Sequence, residues 1–449
     1  MTDLPSGWVE TTLGDIAETS LGKMLDRGKG NGGQVVPYLR NVNVQWGRID
    51  LDDVRTMEIP GDELAFFRLE PGDLLVCEGG EVGRCAIWPG TGEYMAYQKA
   101  LHRIRPHAGV EAKYLCYLLE YMSISKMFAP YTTGSTIKHL PQQQLRRLPI
   151  KLPPTAEQRR IVAVLEDHLS RLAASTVTIR ESMKRAKNLK LRLLDDYVTD
   201  IEKKWKRVAL GHVAEVQSGI QKQPRRRPVD NSYPFLRVAN VYRGELDLSD
   251  VHQVELFEGE IDRYRLRAGD LLVVEGNGSP TQIGRAAIWR DDIPNCVHQN
   301  HLIRVRPGLE LDPSYLEFVW NTPKTAREVR SVASSTSGLF TLSAAKVKSI
   351  SIPVPPRSVQ ELLVAEVQRW WACLDDAERS LEGGYRKAGS LRRSLLAEAF
   401  AGRLVGQNPS DEPASILLDR IRSEWATQRP IRRARRGKDG KTPQKETLV

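Results

Sequence analysis

The chain of 449 residues holds no run of about 18 apolar residues, and its start, MTDLPSGWVETTL, lacks a basic stretch feeding an apolar one. Neither a membrane span nor an export signal is therefore expected. Cysteine is scarce: Cys77, Cys85, Cys116, Cys296 and Cys373 are odd in number and scattered, with no CxxC pair and no close Cys/His cluster. That argues against a disulfide framework and against zinc, and fits a reducing cytoplasm with no metal. There is no GxxxxGKS/T run, so the chain lacks a phosphate-cradling loop for ATP.

What the chain has in excess is positive charge, formally +10, which invites a polyanionic partner. The excess is unevenly placed. From Arg429 to Val449 eight Lys and Arg residues face only Asp439 and Glu446, so +6 lies in the tail and +4 in all the rest. The tail reads as basic and flexible, with Ile416 to Trp425 either a short amphipathic helix set against a partner or a frayed end. Charge alone does not establish specific recognition. With 41% hydrophobic residues the chain can bury more than one core, and roughly two to four domains fit its length.

Self-similarity decides the organisation. Trp8, Leu13 and Gly14 recur 197 positions later as Trp205, Leu210 and Gly211, and PYLRNVNVQWGRIDLDDV (Pro37 to Val54) recurs at that offset as PFLRVANVYRGELDLSDV (Pro234 to Val251). The offset holds where PGDLLVCEGG from Pro71 meets AGDLLVVEGN from Ala268, then becomes 201 at VGRCAIW and IGRAAIW, so the second copy carries an insertion of four residues. YQKALHRIRP from Tyr97 pairs with HQNHLIRVRP from His298, and Pro153-Pro154 with Pro355-Pro356 at offset 202.

Within each copy, short apolar runs such as Leu74 to Cys77, Leu101 to Ile104, Leu271 to Val274 and Leu302 to Val305 are punctuated by Gly, Asn, Asp and Pro, as strands and turns are. A short helix is expected near Tyr114 and near Tyr315. After each Pro-Pro the pattern turns helical. Leu165, Leu172, Ile179, Ala186 and Leu193 fall seven apart, with Val162, Leu169, Thr176, Met183, Lys190 and Tyr197 as a companion column. The second copy repeats this as Val367, Leu374, Leu381, Ala388 and Leu395, beside Val364, Trp371, Glu378, Tyr385, Arg392 and Ala399. Two matched heptad stripes predict an intramolecular antiparallel pair about 65 Å long at 1.5 Å per residue. Gly383-Gly384 should force a bend or a close contact, since glycine costs a helix about 1 kcal/mol relative to alanine.

Two β-rich units alternating with two long helices, each opened by PPxxxQ (Pro153, Pro154, Gln158; Pro355, Pro356, Gln360), and the ending SLRRSLLAEAFAGRLV resemble the specificity subunit of type I restriction-modification systems. The resemblance runs to about residue 425. It implies an α+β fold with two β-rich target-recognition domains separated by two long antiparallel coiled-coil helices, in a pseudo-twofold duplicated arrangement. The segments would be 1–153 (first recognition domain), 154–203 (central spacer helix), 204–355 (second recognition domain), 356–405 (C-terminal spacer helix) and 406–449 (basic, flexible tail). As partners it implies double-stranded DNA, two methyltransferase subunits and two restriction/translocase subunits, with no membrane. No cofactor is expected in this chain; S-adenosylmethionine, ATP and Mg2+ would sit on the partners.

The duplication offers an internal control. Two domains reading different sequences should share what folds them and grips phosphates, and differ where bases are read. Shared are Arg40 and Arg237, Asn43 and Asn240, Glu78 and Glu275, Arg84 and Arg285, Gln98 and Gln299, Arg103 and Arg304, and Arg105 and Arg306. These suit structural or backbone-positioning roles, although arginine pairs with phosphate and guanine alike. The differing positions are Lys99 against Asn300, Ala100 against His301, Gln45-Trp46 against Tyr242-Arg243, and Gly80-Glu81 against the longer loop from Asn277 to Gln282. Asn and Gln can contact adenine, and Lys prefers guanine. Lys138 in GSTIKHL, and the matching SSTSGLF (Ser334 to Phe340), could meet phosphates or bases. Lys222, Arg225, Arg226 and Arg227 form a basic loop in the second copy only, read as a phosphate clamp.

Enzymatic readings fare poorly. An adenine methyltransferase needs a glycine-rich nucleotide motif and an Asn/Asp-Pro-Pro-aromatic segment, whereas here the Pro-Pro pairs precede Thr155 and Arg357. A metal nuclease needs clustered carboxylates, and Asp73 with Glu78 or Asp270 with Glu275 lack a following lysine at catalytic spacing. His168 falls beside the heptad seam, and Cys77 and Cys85 sit in apolar runs as core thiols. Two readings remain, a DNA-reading subunit of a larger complex and a scaffold whose duplicated domains bind something else. Binding that weakens steeply with salt and prefers a sequence separates them.

Overall fold

The computed structural model describes residues 4–25, 33–136, 138–279, 281–336 and 339–436. In the first domain a four-stranded antiparallel sheet is ordered Ala17–Leu21, Leu101–Pro106, Leu74–Cys77, Cys85–Ile87. The LLVC strand is buried throughout because both sheet faces are covered. Successive side chains point to opposite faces. Leu74, Val76 and Ile104 therefore meet the helix Ala112–Ile124 in one core, while Leu75, Cys77 and Leu101 face a second core. That second core lies under a sheet ordered Arg55–Ile59, Gln34–Leu39, Ala96–Tyr97. Val9–Thr12 and Pro149–Leu152 pair antiparallel and bring the ends of the domain together.

The second domain repeats this strand for strand. Its four-stranded sheet is Ala214–Ser218, Leu302–Pro307, Leu271–Val274, Ala286–Ile288, and its three-stranded sheet is His252–Glu255, Ser232–Leu236, Val297–His298. Arg207–Ala209 pairs with Ser351–Pro353 as the closing ladder. Two elements are its own: the helix Pro323–Val332, and a hairpin of Ser334–Thr336 with Leu339–Thr341 whose second strand pairs with Gly276–Asn277. In the first domain the matching stretch makes, among the described residues, isolated bridges of His139 with Gly79 and with Thr133. The short helices expected near Tyr114 and Tyr315 are Ala112–Ile124 and Pro313–Trp320.

Each Pro-Pro element opens a long helix, Thr155–Lys204 of 50 residues and Arg357–Phe400 of 44. At 1.5 Å per residue they run about 75 and 66 Å. The chain divides into two compact units, residues 1–177 with 385–449, and residues 178–384. The helices are thus not segments set apart from the domains, because their ends complete the domain cores. Ile161, Val162, Leu165 and Leu169 join Leu396, Ala399 and Phe400 in the first unit's core. In the second unit Leu194, Val198 and Ile201 are in one core with Val367. There Lys190 Nζ reaches Asp375 at 2.8 Å and lies 5.4 Å from the Trp371 ring centre, which fixes an antiparallel pairing.

Along the middle of the first helix Leu172, Thr176, Ile179, Met183, Ala186 and Lys190 are half-buried while most of their neighbours are exposed. Such a seam has one partner helix and no third layer. Near the helix end the buried residues are Leu194 and Val198 instead of the expected Leu193 and Tyr197, which are half-buried. The shift has a geometric cause: a 3.6-residue helix drifts about 20° per heptad against a seven-residue repeat. Tyr385, expected on the second seam, is exposed. The second helix passes Gly383-Gly384 unbroken, and a Cβ on Gly384 would lie 3.4 Å from Ile179 Cδ1, so this glycine marks close helix contact.

The PPxxxQ element has a plain physical reading. Gln158 is fully buried; its Oε1 accepts from the Glu111 N–H at 2.9 Å and its Nε2 donates to Pro153 O at 2.9 Å. Gln360 repeats this, accepting from the Asp312 N–H at 2.7 Å and donating to Glu310 O and Pro355 O. One amide thus satisfies orphan groups at the start of the domain's short helix and at the Pro-Pro entry to the long one.

The tail corrects the sequence reading. Residues 406–449 were expected to be flexible, but Ala414–Arg436 is helical, and Ala414, Leu417, Leu418 and Ile421 are buried in the first unit's core. The Ala414 N–H donates to Gly7 O at 2.9 Å, and Trp425 meets the His107 ring edge-on at 5.4 Å. The amphipathic stretch found its partner within its own chain.

Replacing Gln158 or Gln360 by Leu strands buried backbone groups and should lower stability by about 1–3 kcal/mol, read as a lower urea midpoint with unchanged slope. Gly383→Ala, where an added Cβ meets nothing within 4 Å, should instead stabilise by about 1 kcal/mol; a loss of stability would show that the glycine relieves strain.

Candidate nucleic-acid interface

In each domain one edge collects most of the singled-out residues. The Tyr97 strand ends in a tight turn, with Leu101 N–H donating to Gln98 O at 2.9 Å, so Gln98, Lys99 and Ala100 stand between two strands. Beside the turn, Glu78 N–H donates to Ala100 O at 3.0 Å, and Leu140 N–H donates to Glu78 O at 2.8 Å, drawing in the strap that carries Lys138. Asn41 Nδ2 donates to Gly79 O at 3.2 Å, adding the segment from Arg40 to Trp46. The second domain builds the same edge: Leu302 N–H to Gln299 O at 2.8 Å, Glu275 N–H to His301 O at 2.9 Å and Leu342 N–H to Glu275 O at 2.7 Å.

Most shared residues spend their polar groups inside the fold. Arg40 and Arg237 pair with Asp53 and Asp250 at 2.5 and 2.7 Å. Asn43 accepts from the Arg40 N–H and donates to Asp50 O and Asp53 O; Asn240 does the same with Arg237, Asp247 and Asp250. Arg84 Nη2 donates to Asn41 O at 2.9 Å, and Arg285 donates to Val241 O and Val238 O at 2.6 and 3.0 Å. Arg103 is buried, donating to Phe66 O and Arg68 O. Arg304, 1% exposed, donates to Arg263 O and to the side chains of Glu215 and Gln217. Arg105 and Arg306 grip Asp73 and Asp270 through paired bonds of 2.7–2.8 Å, which occupies the carboxylates considered for a nuclease.

The differing positions stay more open. Lys99 and Lys138 are exposed, and the half-buried side chains of Gln98, Gln299 and Asn300 make no hydrogen bond among the described residues. His301 is exposed, with Nδ1 3.0 Å from Glu275. Trp46 Nε1 donates to Glu81 at 2.6 Å. Gln282 is exposed; the side chain of Asn277 and those of residues 334–339 lie outside the described ones. In the basic loop Arg226 is internal, bonded to Glu260 at 2.7 and 2.8 Å with its guanidinium 4.4 Å from the Phe257 ring centre, while Lys222, Arg225 and Arg227 are exposed. Arg243 is exposed, 3.4 Å from Asn321 Oδ1; its pKa lies below the ordinary arginine value through desolvation and then through the like charges of Arg330 and Arg285. Sequence reasoning missed Arg330 because its helix has no counterpart in the first copy.

Cys77 and Cys85 are buried thiols whose pKa values burial raises, which makes them inert. Among the described residues no three His, Cys, Asp or Glu side chains converge as metal ligands, and no helix is long and apolar enough to cross a membrane.

The family model of the type I restriction modification DNA specificity domain matches residues 5–185 and again 202–374. The chain belongs to that family. Each copy in the sequence is one such specificity domain, and the family recognises DNA without a catalytic centre of its own. The chain is 22% identical over 452 residues to the type I restriction enzyme EcoKI specificity subunit of Escherichia coli K12, covering 94% of this chain and 96% of that one. It is also 22% identical over 460 residues to the StySPI specificity subunit of Salmonella potsdam, with the same coverage. Its fold resembles a chain from a type I restriction-modification complex at TM-score 0.73 and 18% identity, over 90% of this chain and all of that one. The HsdS subunit of Thermoanaerobacter tengcongensis follows at TM-score 0.54 and 19% identity, over 90% and 98%.

One buried residue of this specificity subunit gives a pH prediction. His298 stands where the first copy has Tyr97; it is fully buried, its ring nitrogens face the backbone of Gln217 and Tyr264 without a well-formed hydrogen bond, and burial, then Arg304, pushes its pKa down to about 3. A histidine kept neutral when folded is protonated first in the unfolded chain, so stability falls as pH drops below about 6.5. His298→Tyr should flatten that acid limb in urea titrations; an unchanged limb would contradict the assignment.

Proposed function

We propose that this chain reads an asymmetric, bipartite DNA target with a fixed gap, one half-site for each domain, and directs partner adenine methyltransferase and nuclease subunits to it. The observation that carries the reading is the division within the duplicated edge. Arg40, Asn43 and Arg103 with their counterparts, and Arg84, are spent on the fold, while Lys99 against Asn300 and Ala100 against His301 diverge on the turn at this edge. Related scaffolds with different exposed donors suit different half-sites.

Each domain contributes its own base contacts, a wrong base pair costing about 1–3 kcal/mol, so specificity is the product of two modest readers. The long helices act as the ruler that fixes the gap and as the docking surface for two methyltransferase subunits, with two restriction/translocase subunits completing the enzyme. The partners carry S-adenosylmethionine, ATP and Mg2+ and flip the target adenines out of the stack. This chain supplies the address.

Exchanging residues 1–153 for the matching domain of a relative should change one half-site of the methylated sequence and leave the other half and the gap intact. A change in both halves would end the independent-reader account. Inserting residues between Thr176 and Lys190 should alter the gap alone, and an unaltered gap would remove the ruler.

A further inference from the structure

We infer that Arg243, Arg285 and Arg330 form a phosphate site in the second domain that takes one phosphodiester group of bound DNA; this rests on the DNA-reading function above. Three features of the chain support it, and the first is unbalanced charge. No carboxylate lies within ion-pair distance of any of the three among the described residues; Arg207, Arg226, Arg237, Arg304 and Arg306 of the same domain each have one, while Arg225, Arg227, Arg263, Arg265 and Arg267 have none. On the helix Pro323–Val332, Lys324 pairs with Glu202 and Arg327 with Asp195, which leaves Arg330 as its unpaired base. Arg243 has only the neutral Asn321 oxygen at 3.4 Å.

The second feature is how firmly the site is built. Arg285 is anchored by Nε and Nη2 on two backbone carbonyls, and its Nη1 makes no hydrogen bond among the described residues. Gly244 N–H donates to Ala286 O at 2.9 Å and holds the turn bearing Arg243 against the Arg285 strand. Asn321, which faces Arg243, is itself tied to Ala286 O at 2.9 Å. Val329 packs against Gly284, where a Cβ would come within 2.3 Å of its Cγ1, and this sets Arg330 one residue further along. The guanidiniums are therefore held near one another by backbone, against their mutual repulsion. An anion relieves that repulsion.

The third is the contrast with the first domain. There Phe128 covers Gly83 as Val329 covers Gly284, so Ala129 stands at the place of Arg330. Trp46 stands at the place of Arg243, and Glu81 takes both the Trp46 N–H and a 3.4 Å contact from Arg84. In the second copy the longer loop NGSPTQ (Asn277 to Gln282), which has no carboxylate, stands opposite Gly80-Glu81. One corner is neutral and the other carries three positive charges. Three guanidiniums offer more donors than the two acceptors of a guanine edge can use, but they match the oxygens of a phosphate.

The test uses the full-length chain and a mixed-sequence DNA duplex, with affinity measured across a salt series. For Arg243→Ala/Arg330→Ala the slope of log affinity against log salt should become shallower by about 1, the signature of one lost phosphate contact, with sequence preference unchanged. The Lys/Lys variant should keep the slope, and thermal melting should match the parent for both. Methylphosphonate placed at single positions should weaken the parent at one phosphate and leave the Ala/Ala variant indifferent there. An unchanged slope overturns the site, as does a slope kept while preference at one base pair is lost. Inorganic phosphate that competes with the duplex at constant ionic strength, without the methylphosphonate signature, assigns the cluster to a free phosphate and overturns the duplex assignment. A parent chain that does not bind the duplex at all defeats the DNA-reading function itself, a result distinct from binding that the variants leave untouched.

Discussion

A helix of 50 residues with one partner cannot bury its apolar stripe deeply, and that constraint governs how this chain is assembled. Along the seam the side chains are only half-covered, so the seam offers modest hydrophobic gain per residue. Full burial comes at the helix ends, where Ile161 and Leu165, or Val198 and Ile201, enter a domain core. The buried amides of Gln158 and Gln360 then lock each helix start to the short helix of its own domain. A long helix without such an anchor would have no defined direction relative to its own domain.

Duplication followed by divergence explains the split between polar residues that fold and polar residues that face outward. A buried guanidinium such as Arg304 needs partners for its charge, because an unpaired buried charge costs several kcal/mol. Carbonyls of Arg263 and Arg265 bond its Nη1, and the side chains of Glu215 and Gln217 its Nη2. Such a residue is no longer free to change, and its counterpart Arg103 has the same carbonyl environment. A turn residue such as Lys99 carries no such obligation. It can become Asn300 in the sister domain while the turn's backbone bond is kept.

Much of this was legible in the sequence, for physical reasons that differ by element. The repeat fixed the number and order of domains, and the heptad columns fixed the antiparallel helices, because both signals are long and periodic. The details that escaped depend on tertiary geometry. Helical drift moved the buried stripe from Leu193 to Leu194, and the amphipathic pattern of the tail did not say that Ala414, Leu417, Leu418 and Ile421 pack on the chain's own first unit. The identity of arginines was visible, and the duplication set the shared Arg103 apart from the unshared Arg243, but the particular carbonyls and carboxylates that each shared arginine serves depend on tertiary geometry. Arg330 escaped for a simpler cause, since the helix that presents it has no twin to compare.

The central claim, that the chain addresses methylation to a two-part sequence, is tested most directly by mapping N6-methyladenine across the genome of the source cell with the gene intact and disrupted. Disruption should erase methylation at one asymmetric motif with a fixed internal gap and leave all other motifs untouched. An unchanged map, in cells whose partner methyltransferase is shown to be active, would contradict the account.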